Sequence, residues 1–436
     1  RCRDSGERAE WTADAWEAVA AQVAAALHCS VAMGHSYLRY ALAMRDRLPR
    51  VGKAFAAGDI DYRAFQTIVF RTDLITDADV LARVDTALAV RLSRCPSLTR
   101  GGLAAAVDQV VAAVDADAVR RAATAASDRY VDVVADEKGM AWVDGMVMAP
   151  EGRALDRRLE ELAGGVCAGD PRTRRQRRAD ALGALAARAQ RLVCRCGSAQ
   201  CPTAAPAASN VVIHLVAEQA TVEGAGSVPG VLLGAEGLVP AGVIAELAAS
   251  ARLVPLRLPA DSAEPHYTPS TKLAEFVRCR DLTCRAPGCD RPASACDLDH
   301  TIPYARGGAT HPSNLKCLCR LHHLLKTFWG WRDEQLPDGT VIWRLPDGDT
   351  AVTTPGSALL FPSLCAPTGD IPPPAPTGAE RCGERTAMMP LRTRTRAQNR
   401  AHRVATEKRH NREARLATHL PQTGPAPPED DEPPPF

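Results

Sequence analysis

Apolar residues recur at helical spacing from about Trp11 to Asp128, which predicts a succession of amphipathic helices. Trp11–His28 and Ser30–Leu48 each carry such a stripe, and Pro49 closes the second. Asp77–Arg94 and Leu98–Val114 continue the pattern. From Arg129 to Pro150 the period drops to two around Lys138-Gly139, as a β-hairpin requires. Helical spacing resumes from Glu151 to about Leu192. Asn210–Ala220 reads as a strand in which His214 is a core or edge residue rather than a ligand. Pro240–Leu256 reads as a short helix running into an extended segment. Gly330–Gly356 alternates around two Pro-Asp-Gly turns, predicting a small antiparallel sheet. After Cys365 the chain turns to Pro, Thr and Arg. The segment Arg392–Arg415 is basic and the end is acidic. Disorder is expected from about residue 366, with a helix around Arg396–Leu416 forming on binding.

These shifts give a mostly α N-terminal domain with a β-hairpin (1–193), a mixed connector (194–270) and a small Cys/His-rich module (271–335). A small β extension (336–365) and a disordered basic, then acidic, tail (366–436) follow. The 436 residues are 46% hydrophobic but only 4% aromatic, so cores built from Ala and aliphatic side chains are expected. The net charge of +2 says little about partners. The five arginines between Arg172 and Arg178 are either a solvated helix face or a DNA contact. No secretory signal opens the chain and no run of 18 apolar residues occurs, so a cytoplasmic, non-membrane setting is expected. The chain starts at Arg1 rather than Met, which suggests a missing N-terminal piece.

In a reducing compartment, clustered cysteines point to metal rather than disulfides, and there are 15 of them. Cys194, Cys196 and Cys201 are either metal ligands lacking a fourth partner nearby in sequence or a loop of free thiols. The densest cluster lies between Cys289 and Lys326. Cys284 and Cys289 flank a Pro-Gly turn that can bring two thiolates to one ion. Cys319 and His322 stand three apart at the start of an apparent helix and share a face. Together they make a tetrahedral Cys3His zinc site, with buried thiols as the alternative. Cys279, Cys296 and Cys317 are spares that could displace one of the four.

Asp299, His300, Asn314 and His323 remain. Asp299-His300 lies in a strand-like stretch, and His323 points about 100° away from His322 on the helix. A carboxylate and a helical imidazole can hold one divalent cation, and a second imidazole can take a proton from water. Phe328, Trp329 and Trp331 more naturally close a small core than stack on bases.

The series Asp299-His300, Asn314, His323 and Lys326 resembles the His-Asn-His (HNH) nuclease motif on a zinc-bound ββα-metal finger, over about Thr271 to Trp331. The upstream segments Leu48–Val69 and Gly169–Leu185 resemble the helical domain of unknown function in actinobacterial 13E12 repeat family proteins. The resemblance implies that His300 is the general base and that Asp299 and His323 hold a catalytic Mg2+ or Mn2+. It implies that Asn314 ties the loop between the strands and orients His300 through a hydrogen bond, and that the zinc is structural. His322 stands where the family has a second Cys, so an exchange of roles between His322 and His323 stays open. Arg306 and Lys326 flank the site as DNA-phosphate contacts or as solvated side chains.

The leading expectation is therefore a DNA endonuclease. The alternative is a catalytically inactive zinc-dependent DNA-binding protein of a mobile or repeat element. A helical interaction protein is a third, since residues 1–200 hold no catalytic constellation.

Overall fold

In the computed structural model, residues 8–94, 99–119, 129–135, 140–198, 200–201, 214–233, 238–249, 251–259, 262–369 and 388–417 are described. The predicted amphipathic stretches fold as α1 (Ala15–Ala26), α2 (Val31–Leu42), α3 (Pro49–Ala56), α4 (Tyr62–Arg71), α5 (Ala78–Arg94) and α6 (Arg100–Val114). A π-helical turn, Ala43–Arg47, extends α2. Pro49 opens α3 as well as closing what precedes it, because a first helical position needs no N–H. Side chains satisfy some of the orphan donors at other helix starts. Asp61 accepts from Ala64 N and Thr99 from Gly102 N. Buried Asp85 of α5 accepts from Arg50 N and Val51 N, capping α3 from a neighbouring helix.

The chain divides into two units. The first comprises Arg1–Val23, Ala32–Ala122 and Ala387–Phe436, and the second Ala24–Val31 and Ala123–Thr386. The division at about residue 123 departs from the expected boundary at 193. The core of the first unit joins Leu48, Val51, Phe65, Ile68, Leu74, Val84, Leu88, Val107 and Val111.

The expected disordered tail is corrected over residues 388–417. This segment contains a 22-residue helix, Arg396–Ala417, that is part of the first unit. Val404 inserts into the core, 3% exposed. The basic residues meet carboxylates of the same unit. Arg392 and Arg396 reach Asp14 and Glu17, Arg400 and Arg403 reach Asp73, Lys408 reaches Asp115, and Arg412 and Arg415 reach Asp117. The helix expected around Arg396–Leu416 on binding is thus already formed, and composition could not show this because its acidic partners lie some 300 positions away. Residues 370–387 and 418–436 lie outside the described part.

In the second unit, β1 (Tyr130–Ala135) pairs antiparallel with β2 (Ala141–Met146), the expected hairpin, whose Lys138-Gly139 turn lies outside the described residues. The stretch read as one helix from Glu151 to Leu192 is two, α7 (Ala149–Gly164) and α8 (Arg174–Ala186), over a small core of Leu162, Ala181 and Leu192. Gly164-Gly165 ends the first, and a capping box between Thr173 and Gln176 starts the second. The arginine run leads into α8, and three of its five members are ion-paired: Arg172 with Asp170 and Asp180, Arg174 and Arg178 with Glu160. The connector forms a three-stranded sheet, β3 (His214–Val216), β4 (Gly230–Leu233) and β5 (Leu238–Val239), followed by α9 (Ala241–Ala248). A one-turn helix, Gln219–Val222, lies between β3 and β4. His214 is exposed at the start of β3. Helix α10 (Thr271–Asp281), hairpin β6 (Cys296–His300) and β7 (Leu315–Cys319), and α11 (Arg320–Phe328) come next. The expected antiparallel sheet follows as β8 (Arg332–Gln335), β9 (Val341–Arg344) and β10 (Thr350–Thr353). The basic tail helix is α12 in this numbering. Among the described residues no single helix is long and apolar enough to cross a membrane.

Candidate metal centre and active site

The hairpin and helix that carry the Cys/His residues are set by a few buried polar side chains. Strands β6 and β7 pair with Cys296 opposite Cys319, Asp299 opposite Lys316 and His300 opposite Leu315. Buried Asp281, at the end of α10, accepts from Cys317 N at 2.8 Å and from Arg280 Nε at 2.8 Å. Arg280 in turn donates to the Pro312 and Leu315 carbonyls at 2.7 Å each. These satisfied charges hold α10 against the hairpin. Between the strands, Asn314 Oδ1 accepts from Ile302 N at 2.8 Å, and its Nδ2 donates to the Ile302 and Ala309 carbonyls. Gly307 takes a positive φ of 82°, and a Cβ at Gly308 would collide with the Ile302 carbonyl. The two glycines are thus required by the loop that Asn314 clips.

Cys284, Cys289, Cys319 and His322 converge, with their ligand atoms all within 4.8 Å of one another. Cys289 Sγ lies 3.9 Å from Cys319 Sγ. His322 Nδ1 lies 3.6 Å from Cys284 Sγ and 3.3 Å from Cys319 Sγ. Bonds of about 2.3 Å to sulfur and about 2.0 Å to nitrogen give tetrahedral edges of about 3.8 Å and about 3.5 Å. The four residues therefore fit a zinc ion. Their acid–base state fits too: burial pushes the Cys284 thiol up, and hydrogen bonds from Cys284 and Cys289 pull Cys319 far down. The His322 ring is fully buried, with its centroid 5.5 Å from that of Trp331. Trp331 itself packs edge-on against Trp343, as a core residue. Of the spare cysteines, Cys296 lies beside Cys284 but donates to the Arg291 and Pro292 carbonyls, and Cys317 donates to the Val277 carbonyl. Burial pushes the Cys279 thiol up to about 11.

His323 turns the other way, toward β6. Its Nε2 lies 3.5 Å from Asp299 Oδ1, and its Nδ1 lies 2.9 Å from Asp297 Oδ2. Octahedral bonds of about 2.1 Å place adjacent ligands about 3.0 Å apart, so the two groups would have to close by about 0.5 Å on such an ion. Asp297, two residues before Asp299 and on the same strand face, orients the imidazole as metal-binding histidines are commonly oriented. Asp299 is 7% exposed. Burial alone would raise its pKa, but Lys316, Lys326 and His323 hold it at about 2. Lys316 and Lys326 each donate to Asp299 Oδ2 at 2.6 Å, and both also pair with Asp333.

Lys326 is accordingly turned inward, 12% exposed at its side chain, donating to the His300 carbonyl at 2.8 Å. This corrects its expected place on a phosphate-binding face: two buried carboxylates draw its ammonium group in. Arg306 lies half-buried in the 3-10 turn Tyr304–Arg306.

His300 packs apart from Asp299, as strand alternation dictates. Its ring stacks on Tyr267 at 5.3 Å and meets Tyr304 edge-on at 5.8 Å. Its Nε2 lies 2.9 Å from Thr310 Oγ1, whose hydroxyl points to the Tyr267 carbonyl at 3.5 Å. Burial lowers the His300 pKa from 6.5, with Lys316 and Lys326 adding to the effect and Asp299 opposing it. A correction follows for Asn314, which shapes the loop, whereas Thr310 orients the His300 ring.

Spacing did not single out Asp297, Thr310, Lys316 or Asp333. Asp297 had a usable signal, the Asp-x-Asp-His alternation that places two carboxylates on one strand face. Lys316 and Asp333 meet the site only through strand pairing and the sheet beyond α11.

The model of a domain of unknown function, DUF222, matches residues 1–281. The chain belongs to the DUF222 family. The match takes in the helical region and the connector and ends with α10, just before the Cys/His cluster. The chain is 44% identical to the uncharacterized protein Rv3776 of Mycobacterium tuberculosis, over 93% of this chain and 83% of that one. It is 43% identical to the uncharacterized protein Rv2100 of the same organism, over 93% and 81%. A further Mycobacterium tuberculosis protein, named only as uncharacterized and lying 3' of est, is 38% identical over 62% of this chain and 85% of its own length. No solved structure matches.

Proposed function

We propose that the C-terminal module of this DUF222 protein is an HNH-type endonuclease that hydrolyses phosphodiester bonds in DNA. One observation carries the reading. A hairpin and helix hold a Cys3His cluster on one side of α11, while His323, one residue on, faces Asp299 at 3.5 Å. Such a module behind a DUF222 domain is the arrangement of 13E12 repeat family proteins. The zinc ion, once bound, is structural, since four protein ligands close its coordination. A Mg2+ or Mn2+ ion supplies charge stabilisation at the scissile phosphate, and Asp299 and His323 are the residues that would hold it. His300, whose pKa burial lowers, takes the proton from the attacking water. Asn314 fixes the loop that carries Thr310, and Thr310 fixes the ring.

A second reading, a catalytically inactive zinc-dependent DNA-binding protein, is favoured by one feature: Asp299 Oδ2 already accepts from two ammonium groups at 2.6 Å. Against it, Asp299 Oδ1 stays clear of both ammonium groups and faces His323. Cleavage of supercoiled plasmid with and without Mg2+ or Mn2+ separates the two readings. The parent is expected to cut, and His300→Ala to cut at least about 100-fold more slowly with zinc content and DNA binding unchanged, as loss of a general base costs about 10²–10⁴. Undiminished cleavage by His300→Ala would refute the assignment of the base. DNA binding by a parent that never cuts would favour the second reading.

A further inference from the structure

Away from the Cys3His cluster, the loops that follow α7 and α8 bring a second set of sulfurs together. Cys167, Cys194, Cys196 and Cys201 have their Sγ atoms within 4.8 Å of one another. Cys167 supplies the fourth ligand that sequence proximity lacked; it stands 27 residues before Cys194, at the far end of α8. The Cys167 and Cys194 sulfurs are 3.5 Å apart, far beyond the disulfide bond length of about 2.05 Å. Two thiolates on one tetrahedral zinc stand about 3.8 Å apart, given bonds of about 2.3 Å.

The two loops are also clamped to each other by groups that are not ligands. The Asp170 side chain, 0% exposed, accepts from Arg172 N at 3.0 Å, Arg172 Nη2 at 2.8 Å and Arg195 N at 2.9 Å. Arg172 Nη2 also donates to the Val193 carbonyl at 2.6 Å. Asp170 N closes the first loop onto the Cys167 carbonyl, and Cys201 N closes the second onto that of Ser198. Gly197 takes φ +73°, a backbone conformation that reverses the chain between Cys196 and Cys201. Paired with Arg172 and hydrogen-bonded to the backbone of both loops, this carboxylate fixes them against each other. The core under α7 and α8 is small, with Leu162, Ala181 and Leu192 as its buried residues among those described. Small modules of this kind gain stability from a metal staple.

We propose that Cys167, Cys194, Cys196 and Cys201 form a second zinc site, structural in role, that ties the loop after α8 to the end of α7. Four thiolates leave no open coordination position, so the site holds and does not catalyse. The inference does not depend on the nuclease reading.

The test is metal analysis of the full chain, purified under reducing conditions without chelator. About two zinc ions per chain are expected, falling to about one in Cys196→Ser/Cys201→Ser and to about one in Cys284→Ser/Cys319→Ser. Replacing bound metal with Co2+ gives an independent readout on the parent, because sulfur-to-cobalt charge-transfer intensity scales with the number of thiolates. Seven are expected in all, four from this site and three from the other. If the first double variant fails to fold, the parent stoichiometry and the Cys284→Ser/Cys319→Ser variant decide. One zinc in the parent that vanishes with Cys284 and Cys319 would overturn the proposal. So would a Cys167–Cys194 disulfide found by mass spectrometry of thiol-blocked protein, or iron in place of zinc at these four residues.

Discussion

Val404 provides the sharpest test of where the C-terminal helix belongs. It is 3% exposed and packs in the core of the first unit, on a helix otherwise dominated by charge. Val404→Ala removes two buried methyl groups, worth about 1.5 kcal/mol at ~0.8 kcal/mol per buried carbon. The cavity left behind adds to this cost, while the better helix propensity of Ala offsets roughly 0.5 kcal/mol. A net loss of about 1–2 kcal/mol translates to roughly 2–8 °C in the Tm of a unit of this size. Thermal unfolding at low and high salt isolates the apolar part. Raising salt from 0.1 M to 1 M shortens the screening length from about 10 Å to about 3 Å. It weakens the pairs with Asp73 and Asp117 but leaves the Val404 contribution in place. Limited trypsin digestion gives an independent view. Arg396, Arg400, Arg403, Lys408, Arg409, Arg412 and Arg415 are all cleavage sites. A docked helix should resist cleavage there, and Val404→Ala should cleave faster. Rapid cutting of the native chain between 396 and 415, together with an unchanged Tm in Val404→Ala, would refute the docking.

Three further outcomes are expected. Because Arg412 and Arg415 are paired with Asp117, Arg412→Gln/Arg415→Gln should leave the slope of log K against log salt for DNA binding unchanged; a loss of about 0.9 per residue would mean that they contact phosphate. Lys316 is fully buried between Asp299 and Asp333, so Lys316→Met strands two carboxylates and should cost about 3–5 kcal/mol in urea unfolding, whereas a neutral effect would show that Lys326 suffices. The His300 pKa is lowered on folding from 6.5, so below that pH the unfolded chain binds the extra proton first. Stability should therefore hold above pH 6.5 and fall as the pH drops below it, with the drop reduced in His300→Gln. The proposed nuclease activity is likewise expected to stay flat down to about pH 6.5.

Much of the architecture follows from local pattern alone. Apolar spacing marked the helices of the first unit, period-two alternation marked the first hairpin and the strand bearing Asp299, and Pro-Asp-Gly turns marked the last sheet. Each of these depends on contacts within a few residues, which is why periodicity reveals them. Paired spacing likewise brought Cys284 and Cys289, and Cys319 and His322, to notice, since a turn and one helical step set their reach. Tertiary structure decided what depends on distant partners. Only the fold shows that α7 and α8 are separate helices that return Cys167 to Cys194. Only the fold shows that Lys326 is drawn onto Asp299 and Asp333, and that Thr310, not Asn314, holds the His300 ring. The C-terminal arginines make the same point. Their charge is plain from composition, but whether that charge faces solvent depends on carboxylates some 300 residues away. Long-range ion pairing and burial leave no periodic trace along a chain, because the entropy of closing such long loops is met by the folded core as a whole and not by any local motif.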